Sequence, residues 1–451
     1  MQFPLKAGPP AAPAYLTPCF RKDASLTTER LNLRRRELGL SLPPAPSRLD
    51  SPSLVSSVHG VINRLLFTLP SDLFDDEERR KRGDFGTDAA ATVKNLLGQI
   101  SREAALLIMT HEVSVARLQN WLAELNLTAQ TAIVPVRNEI EFTIWAEDAY
   151  VVCDDQTDGE KFFVEPESFP RGDDPLVADQ FLARAPVTRM SSINVNLLFQ
   201  GGNTLIGDEF WLIGMDDALK SLERGFVKPN PGETDLAAVQ RVYKANLDHN
   251  RSLISVRSNL PVPIHDDRKF EMGGQIWKEF FHQSNQLGTV QPIFHIDMFL
   301  TLAGRDKDGK PQILVGDPLL ASRVTGQPLP DHAQRMPEIF DDIASQFAKL
   351  GFKVIRNPLP LTYDDNEKDR ERKWYYATAN NALVEITADR KQVWLPTYGH
   401  QKWPELAPAD QLNKDIWEKE LGFTVHQLGN FHPFASLGGA AHCIKKYLAR
   451  G

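Results

Sequence analysis

Short apolar runs alternate along this chain with stretches whose apolar residues recur at helical spacing. Runs such as Ala104–Met109 and Ala132–Val136 predict buried strands, and apolar positions at helical spacing predict a helix over residues 87–100. Beyond the second of these runs, pairs of predicted strands alternate several times with single predicted helices. This order predicts a mixed α/β chain with a repeated ββαβ unit of roughly 60–90 residues. Periodicity alone leaves open how such units close on one another.

The first 57 residues differ in composition from the rest of the chain. They are rich in proline and serine and contain a basic run at Arg34–Arg36. We interpret residues 1–57 as an N-terminal extension and residues 58–451 as the domain that carries the candidate chemistry. The basic run could contact a partner, but a solvated arm is the more common structure for such a run.

The overall charge narrows the class of partner. The 51 lysines and arginines and 59 aspartates and glutamates give a net charge of −8. This balance argues against nucleic acid as the main partner and is compatible with a cationic substrate. No apolar run of about 18 residues occurs, so we expect no membrane span. Three scattered cysteines and an N-terminus without the apolar core of a signal peptide lead us to expect a cytoplasmic protein.

Cys443 is the first candidate for chemistry. It follows Gly438-Gly439-Ala440-Ala441-His442 near the C-terminus. A thiol behind two glycines is a reasonable nucleophile, because glycine lets the backbone approach a substrate closely. The alternative is a small buried hydrophobic residue, which is the usual environment of a free cysteine. Only Cys19 and Cys153 accompany it, so we do not expect a disulfide framework.

A second candidate is the pair His295 and Asp297. Side chains alternate between the two faces of a strand, so a strand at Phe294–Phe299 would direct both groups to one face. An imidazole and a carboxylate on one face suit acid–base chemistry on a charged substrate. Two alternatives stay open: the pair only stabilises the fold, or it binds a metal in an α/β metallohydrolase together with His265.

Two further motifs precede that pair in the chain. In Trp145–Asp148, a carboxylate beside an aromatic ring could hold a cation, although acidic residues at strand ends are more often solvated. Gly201-Gly202-Asn203 joins two apolar runs and by itself predicts a type I′ hairpin turn. No G-x-S-x-G elbow, no G-x-G-x-x-G after a strand and no P-loop sequence occurs, so serine-hydrolase, dinucleotide and P-loop functions lack support.

Taken together and in order, these motifs resemble the pentein superfamily of guanidino-modifying enzymes, most closely the peptidylarginine deiminases and the agmatine deiminase-like enzymes. The resemblance rests on five short segments: Trp145-x-x-Asp148, Phe199–Asn203, His295–Phe299, Leu395–Gly399 and Gly438–Cys443. It implies a five-bladed α/β propeller of ββαβ modules, preceded by the N-terminal extension.

The resemblance also implies roles for individual residues. Cys443 would be the nucleophile and His295 the acid–base group. Substrate binding would fall to Trp145, Asp148, Gly202, Asn203 and Asp297. The family pattern favours Asp148 over its neighbour Glu147 as the binding acid. His442 is expected to point away from the thiol and to have a structural role.

The implied reaction is hydrolysis of the guanidinium group of arginine or an arginine derivative through a covalent thiouronium intermediate. The partner would be a small guanidino compound or peptidyl-arginine, and we expect no cofactor and no metal. An amidinotransferase and a non-catalytic guanidino-binding protein are the alternatives.

This sequence departs from the family pattern at two places. Gln200 stands where agmatine and arginine deiminases carry a glutamate before the two glycines, which argues against free arginine or agmatine as the substrate. Ile444-Lys445-Lys446 follows the cysteine, where many members continue with Gly-Thr or x-Thr, so we expect a different substrate rim near the thiol. The calcium sites of the vertebrate peptidylarginine deiminases are not recognisable.

Overall fold

The structure, a computed structural model, describes residues 26–40, 49–75, 89–100, 102–264, 268–281 and 288–451. The strands are β1 (Leu26–Thr27), β2 (Pro52–Leu54), β3 (Ile62–Leu69), β4 (Ala105–His111), β5 (Thr131–Val136), β6 (Val151–Asp155), β7 (Lys161–Glu165), β8 (Ser168–Phe169), β9 (Met190–Asn194), β10 (Thr204–Ile206), β11 (Phe210–Gly214), β12 (Ser252–Val256), β13 (Arg268–Met272), β14 (Gln275–Phe281), β15 (Leu300–Arg305), β16 (Pro311–Asp317), β17 (Lys353–Pro358), β18 (Leu361–Asn366), β19 (Glu371–Tyr376), β20 (Leu383–Ile386), β21 (Lys391–Thr397), β22 (Thr424–Asn430) and β23 (Lys445–Arg450).

The α-helices whose bounds the structure gives are α1 (Thr28–Glu37), α2 (Ala89–Gln99), α3 (Val115–Glu124), α4 (Leu176–Arg184), α5 (Met215–Glu223), α6 (Asp235–Leu247), α7 (Pro318–Thr325), α8 (Met336–Lys349), α9 (Ala407–Asp415) and α10 (His432–Ala435). Short 3₁₀ turns lie at Glu112–Ser114, Thr128–Gln130, Gly201–Asn203, Ile296–Met298, Asp331–Ala333 and Pro404–Leu406, and a π-helical turn at Ile416–Glu420.

Local sequence explains where these elements begin and end. Helix α7 starts where the Asp317 side chain accepts a hydrogen bond from the Leu320 N–H and Pro318 occupies the first turn. It ends at Gly326, whose φ of 70° suits glycine. The strands of the interior are continuous apolar runs, such as β4, because helices and neighbouring sheets cover both of their faces.

Five sheets repeat one pattern, in which an antiparallel pair of strands is followed by a strand parallel to its second member. They are β6-β7-β9, β10-β11-β12, β15-β16-β17, β20-β21-β22 and β23-β3-β4, with β2 and β5 added at the edges of the first and the last. Helices connect the parallel partners, for example α8 between β16 and β17. The repeated ββαβ unit and the mixed α/β class are therefore confirmed. The arrangement of the five sheets as blades of one propeller stays a prediction.

A four-stranded sheet outside the repeat was not expected from the sequence. Its order is β13-β14-β19-β18. Charged residues such as Lys278 and Arg372 interrupt the apolar alternation of these strands, which hides the strand pattern. The Arg372 guanidinium makes cation–π contacts within this sheet, because it lies 3.8 Å from the ring centre of Tyr363 and 4.8 Å from that of Phe270.

The described part of the predicted N-terminal extension packs on the rest of the chain. Strand β1 pairs with β8, and β2 pairs with β6. Arg35 of α1 is fully buried and pairs with Glu165 at 2.8 Å and Asp179 at 2.9 Å. The expectation of a solvated arm around Arg34–Arg36 is therefore wrong for Arg35, because two carboxylates offset the cost of burying its charge. The boundary after residue 57 stays a prediction, and Cys19 lies outside the described residues.

The candidate residues lie in the interior of the molecule. The largest apolar cluster includes Trp145, Met298, Phe434 and Cys443, all of them buried. In the part of the chain that the structure describes, no helix combines the length and the apolar character that a membrane crossing requires.

Candidate active site

Four of the predicted site residues converge around Gly202. A Cβ atom on this glycine would lie 2.6 Å from His295 Nδ1, 2.9 Å from an Asp148 carboxylate oxygen and 3.2 Å from Asp297 Oδ2. Asp297 Oδ2 is in turn 3.5 Å from Cys443 Sγ. Residues far apart in the sequence therefore surround one small space, which a side chain at position 202 would fill. Their individual roles stay predictions.

Two tight turns bring these groups together, and both differ from the sequence prediction. His295 is extended, but Ile296–Met298 form a 3₁₀ turn, so the predicted strand through His295 and Asp297 is wrong. Gly201–Asn203 also form a 3₁₀ turn, and the hairpin of β10 and β11 turns at residues 207–209. A type I′ turn needs positive φ angles, which these three residues do not adopt. The polar groups reach the interior through these turns instead of through strand alternation.

The Gly201–Asn203 turn packs directly on the Trp145–Asp148 segment. The Gly201 N–H donates to the Asp148 carbonyl at 3.0 Å, and a Cβ at Gly201 would collide with the Glu147 carbonyl oxygen. Glycine is required here because the two backbones touch. Asn203 faces away from the converging groups. Its amide nitrogen donates to Asp217, and its amide oxygen accepts from Gln291 at 2.9 Å.

Trp145 lies beneath the C-terminal glycines. A Cβ at Gly439 would collide with the Trp145 ring, and Phe434 meets that ring edge-on with 5.9 Å between ring centres. The indole is almost completely buried. This packing fixes the turn that leads to Cys443.

Asn381 organises the Cys443 backbone and thiol. Its amide nitrogen donates to Sγ at 3.1 Å, and its amide oxygen accepts from the N–H groups of Ala440, His442 and Cys443 at 2.9–3.2 Å. A donor at the sulfur favours the thiolate over the thiol. Sequence reasoning missed Asn381, although a pair of asparagines directly before a predicted apolar strand was a signal.

Asp297 lies between the thiol and a second histidine. Its Oδ2 is 2.9 Å from His442 Nδ1, so His442 contacts one of the predicted site residues. The expectation that His442 points away from the thiol and has a structural role stays a prediction. Burial, and next the carboxylates of Asp148 and Glu147, raise the pKa of Asp297 well above its usual value. Burial and then the Lys445 cation lower the pKa of His442 well below its usual value. Both groups are therefore favoured in their neutral forms.

His295 is fully buried beside the ring of Phe294. Its Nδ1 lies 3.7 Å from the Asp148 carboxylate, and neither ring nitrogen has a hydrogen-bond partner among the described residues. Burial lowers the pKa of His295, more than the Asp148 carboxylate raises it. Burial therefore favours the neutral imidazole, in which one ring nitrogen can accept a proton.

Asp148 is held by an arginine that the sequence analysis missed. Arg171 Nη1 donates to Asp148 Oδ2 at 2.9 Å, and both side chains are buried. Asp148, and not its neighbour Glu147, lies beside His295. The preference for Asp148 as the binding acid stays a prediction. An indirect signal was the Arg171-Gly172-Asp173-Asp174 sequence, which places charges on a short loop.

Glu147 pairs with the two lysines that depart from the family pattern. Lys445 Nζ lies 2.8 Å from one Glu147 carboxylate oxygen, and Lys446 Nζ lies 3.1 Å from the other. Burial opposes the charge of Glu147, but the two cations more than offset it and lower its pKa to about 2. Burial lowers the pKa of both lysines, and the Glu147 carboxylate that they share raises it by less. Both lysines are buried. The expectation of a different substrate rim near the thiol stays a prediction.

The remaining sequence predictions concern Gln200 and metals. Gln200 is buried, and its amide oxygen has no hydrogen-bond partner among the described residues. Within the same residues, no group of three or more histidine, cysteine, aspartate or glutamate side chains could hold a metal ion. His265, which the metallohydrolase alternative requires, lies outside the described residues.

Known structures identify the fold. An agmatine deiminase of Enterococcus faecalis is 13% identical, covers 88% of this chain and 95% of its own, and superposes with a TM-score of 0.56. A protein described only provisionally as an agmatine deiminase is also 13% identical, covers 90% of this chain and 98% of its own, and gives a TM-score of 0.57.

This chain has the pentein fold. No protein-family model and no curated protein matches the sequence. At this level of identity the pentein likeness concerns the fold, and the chemistry has to be argued from the residues of the site.

Proposed function

We propose that this pentein-fold chain is a cysteine-dependent hydrolase of the guanidinium group of arginine or an arginine derivative. The observation that carries the proposal is the convergence of Cys443, His295, Asp148 and Asp297 around Gly202 in the interior. We also propose that the five ββαβ sheets are the blades of a five-bladed propeller, with this site enclosed among them.

The charges of the site suit a planar cation. The carboxyl groups of Asp148 and Asp297 flank the buried space. Burial raises the pKa of Asp297 and so favours its neutral form. A guanidinium cation would supply the missing positive charge and several N–H donors to carboxylate oxygens. The cation would also leave its central carbon next to Cys443 Sγ, because Asp297 Oδ2 lies 3.5 Å from that sulfur.

The reaction is divided between the thiol and the imidazole. Cys443 gives its proton to the neutral His295, and the thiolate forms a bond to the guanidinium carbon. The C–N bond to the leaving nitrogen breaks as protonated His295 returns the proton to that nitrogen. Water then attacks the thiouronium carbon, His295 accepts a proton from it, and the C–S bond breaks to release the ureido product, citrulline in the case of arginine. These steps use groups of this chain and need no cofactor.

The amidinotransferase alternative differs in the last step, where an amine replaces water. A non-catalytic guanidino-binding protein would retain the acids and lack a reactive thiol. Asn381, which donates to Cys443 Sγ, favours a reactive thiol over simple binding.

The test is turnover of a panel of guanidino compounds by the wild-type protein and two cysteine variants. The panel contains agmatine, arginine, N-methylated arginines and an arginine peptide, with ammonia or amine, ureido product and amidino transfer measured for each. We expect Cys443→Ser to abolish turnover. Cys153→Ser is the matched control, because this buried thiol donates to the Leu247 carbonyl and lies in another apolar cluster. Full turnover by Cys443→Ser would reject the proposal.

A further inference from the structure

The guanidinium of Arg171 lies inside the proposed site. It is almost fully buried and donates from three nitrogens: Nη1 to Asp148 Oδ2 at 2.9 Å, Nε to Asp174 Oδ2 at 2.7 Å, and Nη2 to the Trp145 carbonyl at 3.3 Å. The planar guanidinium of Arg171 is held in one orientation, because its three acceptors are fixed by the fold. Asp148 Oδ2 accepts the hydrogen bond from Arg171, and the other carboxylate oxygen, Oδ1, faces His295.

The loop that carries Arg171 is itself fixed from two directions. Asp174 accepts hydrogen bonds from the N–H and the hydroxyl of Thr143. Asp173 accepts from the Glu141 N–H at 3.1 Å and pairs with Arg34 at 3.2 Å. Arg34 belongs to helix α1, so the N-terminal segment reaches the loop through a charged contact.

Helix α1 has a buried anchor of its own. Arg35 donates to Glu165 at 2.8 Å and to Asp179 at 2.9 Å, and strand β1 pairs with β8 next to Arg171. Ion pairs therefore hold α1 at two places, because Arg34 pairs with Asp173 of the loop and Arg35 pairs with Glu165 and Asp179. One residue after Asp173, Asp174 pairs with Arg171, which also pairs with Asp148. Both arginines of α1 belong to the basic run that the sequence analysis assigned to a solvated arm.

We propose that Arg171 is a positioning residue for Asp148 and that α1 holds Arg171 in place through the contact between Arg34 and Asp173. The inference rests on the proposed function, since Asp148 is taken to bind the substrate cation. Arg171 fixes the direction in which Asp148 presents its charge, and Asp148 sets the preference for a cationic ligand beside Cys443. The N-terminal segment is thus part of the architecture of the site.

The experiment compares labelling of Cys443 by two small alkylating agents. Chloroacetamidine is a cation that resembles a guanidinium, and chloroacetamide is its neutral counterpart of similar size. The ratio of their second-order rate constants, measured by peptide mass spectrometry at Cys443, reports charge selection in the site without any need for turnover. We expect the wild-type protein to prefer the cation.

We expect Arg171→Lys, which keeps the charge but loses the fork, to reduce this preference by about 10- to 100-fold with little change in the chloroacetamide rate. Arg34→Met should reduce it by a smaller factor, since Arg34 acts through Asp173. Arg36→Met is the matched control on the same helix, because Arg36 is exposed, and its ratio should equal that of the wild type. Thermal unfolding of each variant checks that the chain is folded.

The outcomes separate the two proposals. A wild-type protein without preference for the cation contradicts the proposed function and removes the basis of this inference. A wild-type preference that persists unchanged in a folded Arg171→Lys overturns the inference and leaves the proposed function standing. Equal effects of Arg34→Met and Arg36→Met would refute the part assigned to helix α1.

Discussion

Asp148 and Asp297 are chemically identical groups with opposite surroundings. Both are buried and both lie beside Gly202. Asp148 is paired with the Arg171 cation at 2.9 Å. Asp297 contacts the thiol of Cys443 and the imidazole of His442, whose pKa is lowered by burial, so neither neighbour brings a positive charge.

The difference shows that one site can contain two kinds of carboxylate. Asp148 is paired with a cation of the protein itself, whereas the direct contacts of Asp297 are with neutral groups. The charge of Asp148 is balanced by the fold itself. The charge of Asp297 becomes favourable when a cation enters the space beside it. We therefore expect Asp297, next to the sulfur, to gain its charge when a cation binds, and Asp148 to present a charge that Arg171 orients before the cation arrives.

The largest expected effects come from replacing each aspartate by asparagine. Both variants should lose at least about 10²–10³-fold in kcat/KM, because each removes a charge that balances the substrate cation.

The free energies of unfolding of the two variants should differ. Asp148→Asn removes one of the two carboxylates that pair with the buried Arg171 and should cost about 1.5–3 kcal/mol in the free energy of unfolding. Asp297→Asn replaces a group that already favours its neutral form and should change this free energy by less than about 1 kcal/mol. Urea unfolding at neutral pH measures both, and equal losses would contradict the comparison.

The dependence of stability on pH sharpens the same contrast. A folded-state pKa above the unfolded value of about 3.9 means that Asp297 reduces stability as the pH rises from there through its raised pKa. Glu147 has the opposite sign: its pKa of about 2 gives stability that is complete above the unfolded value of about 4.3 and is lost as the pH falls towards about 2.

Urea unfolding of the wild type, Asp297→Asn and Glu147→Gln across this range should therefore give two difference curves. The advantage of the wild type over Glu147→Gln should shrink as the pH falls. The wild type should lose stability relative to Asp297→Asn as the pH rises. Difference curves of the same sign would show that the two carboxylates do not differ as described.

The smallest effect is expected at His442. This residue contacts Asp297 Oδ2 and acts through it, so His442→Gln should lower kcat by about 10-fold and leave KM and the chloroacetamidine preference nearly unchanged. Steady-state kinetics with the best compound of the panel separate kcat from KM. A loss as large as that of Asp297→Asn would place His442 itself in the chemistry.

Much of this site was predictable because its main residues belong to short local motifs. Three short motifs are each visible within a few residues of sequence: Cys443 after two glycines, His295 two positions before Asp297, and Asp148 three positions after Trp145. The repeated ββαβ order was also predictable, since apolar runs and helical spacing are local patterns. The strand predicted for His295 and Asp297 is wrong, yet the two groups still meet, because the 3₁₀ turn also brings them to one space.

The supporting contacts were not predictable, because they join residues that are distant in sequence. Asn381 and Cys443 are separated by 62 positions, and Arg35 and Glu165 by 130. The residues around Arg171 in the sequence do not indicate that its guanidinium pairs with Asp148. A basic run predicts a solvated surface unless the carboxylates that pair with it in the folded chain are known. The packed fold alone reveals which charges are paired.

The central claim is that the Cys443 sulfur forms a bond to the guanidinium carbon of a substrate in this site. Acid quenching during turnover, followed by peptide mass spectrometry, tests it directly. The account predicts an amidino adduct of the substrate on the peptide that contains Cys443, and no adduct in Cys443→Ser. Turnover with the adduct on another residue, or turnover that persists in Cys443→Ser, would contradict it.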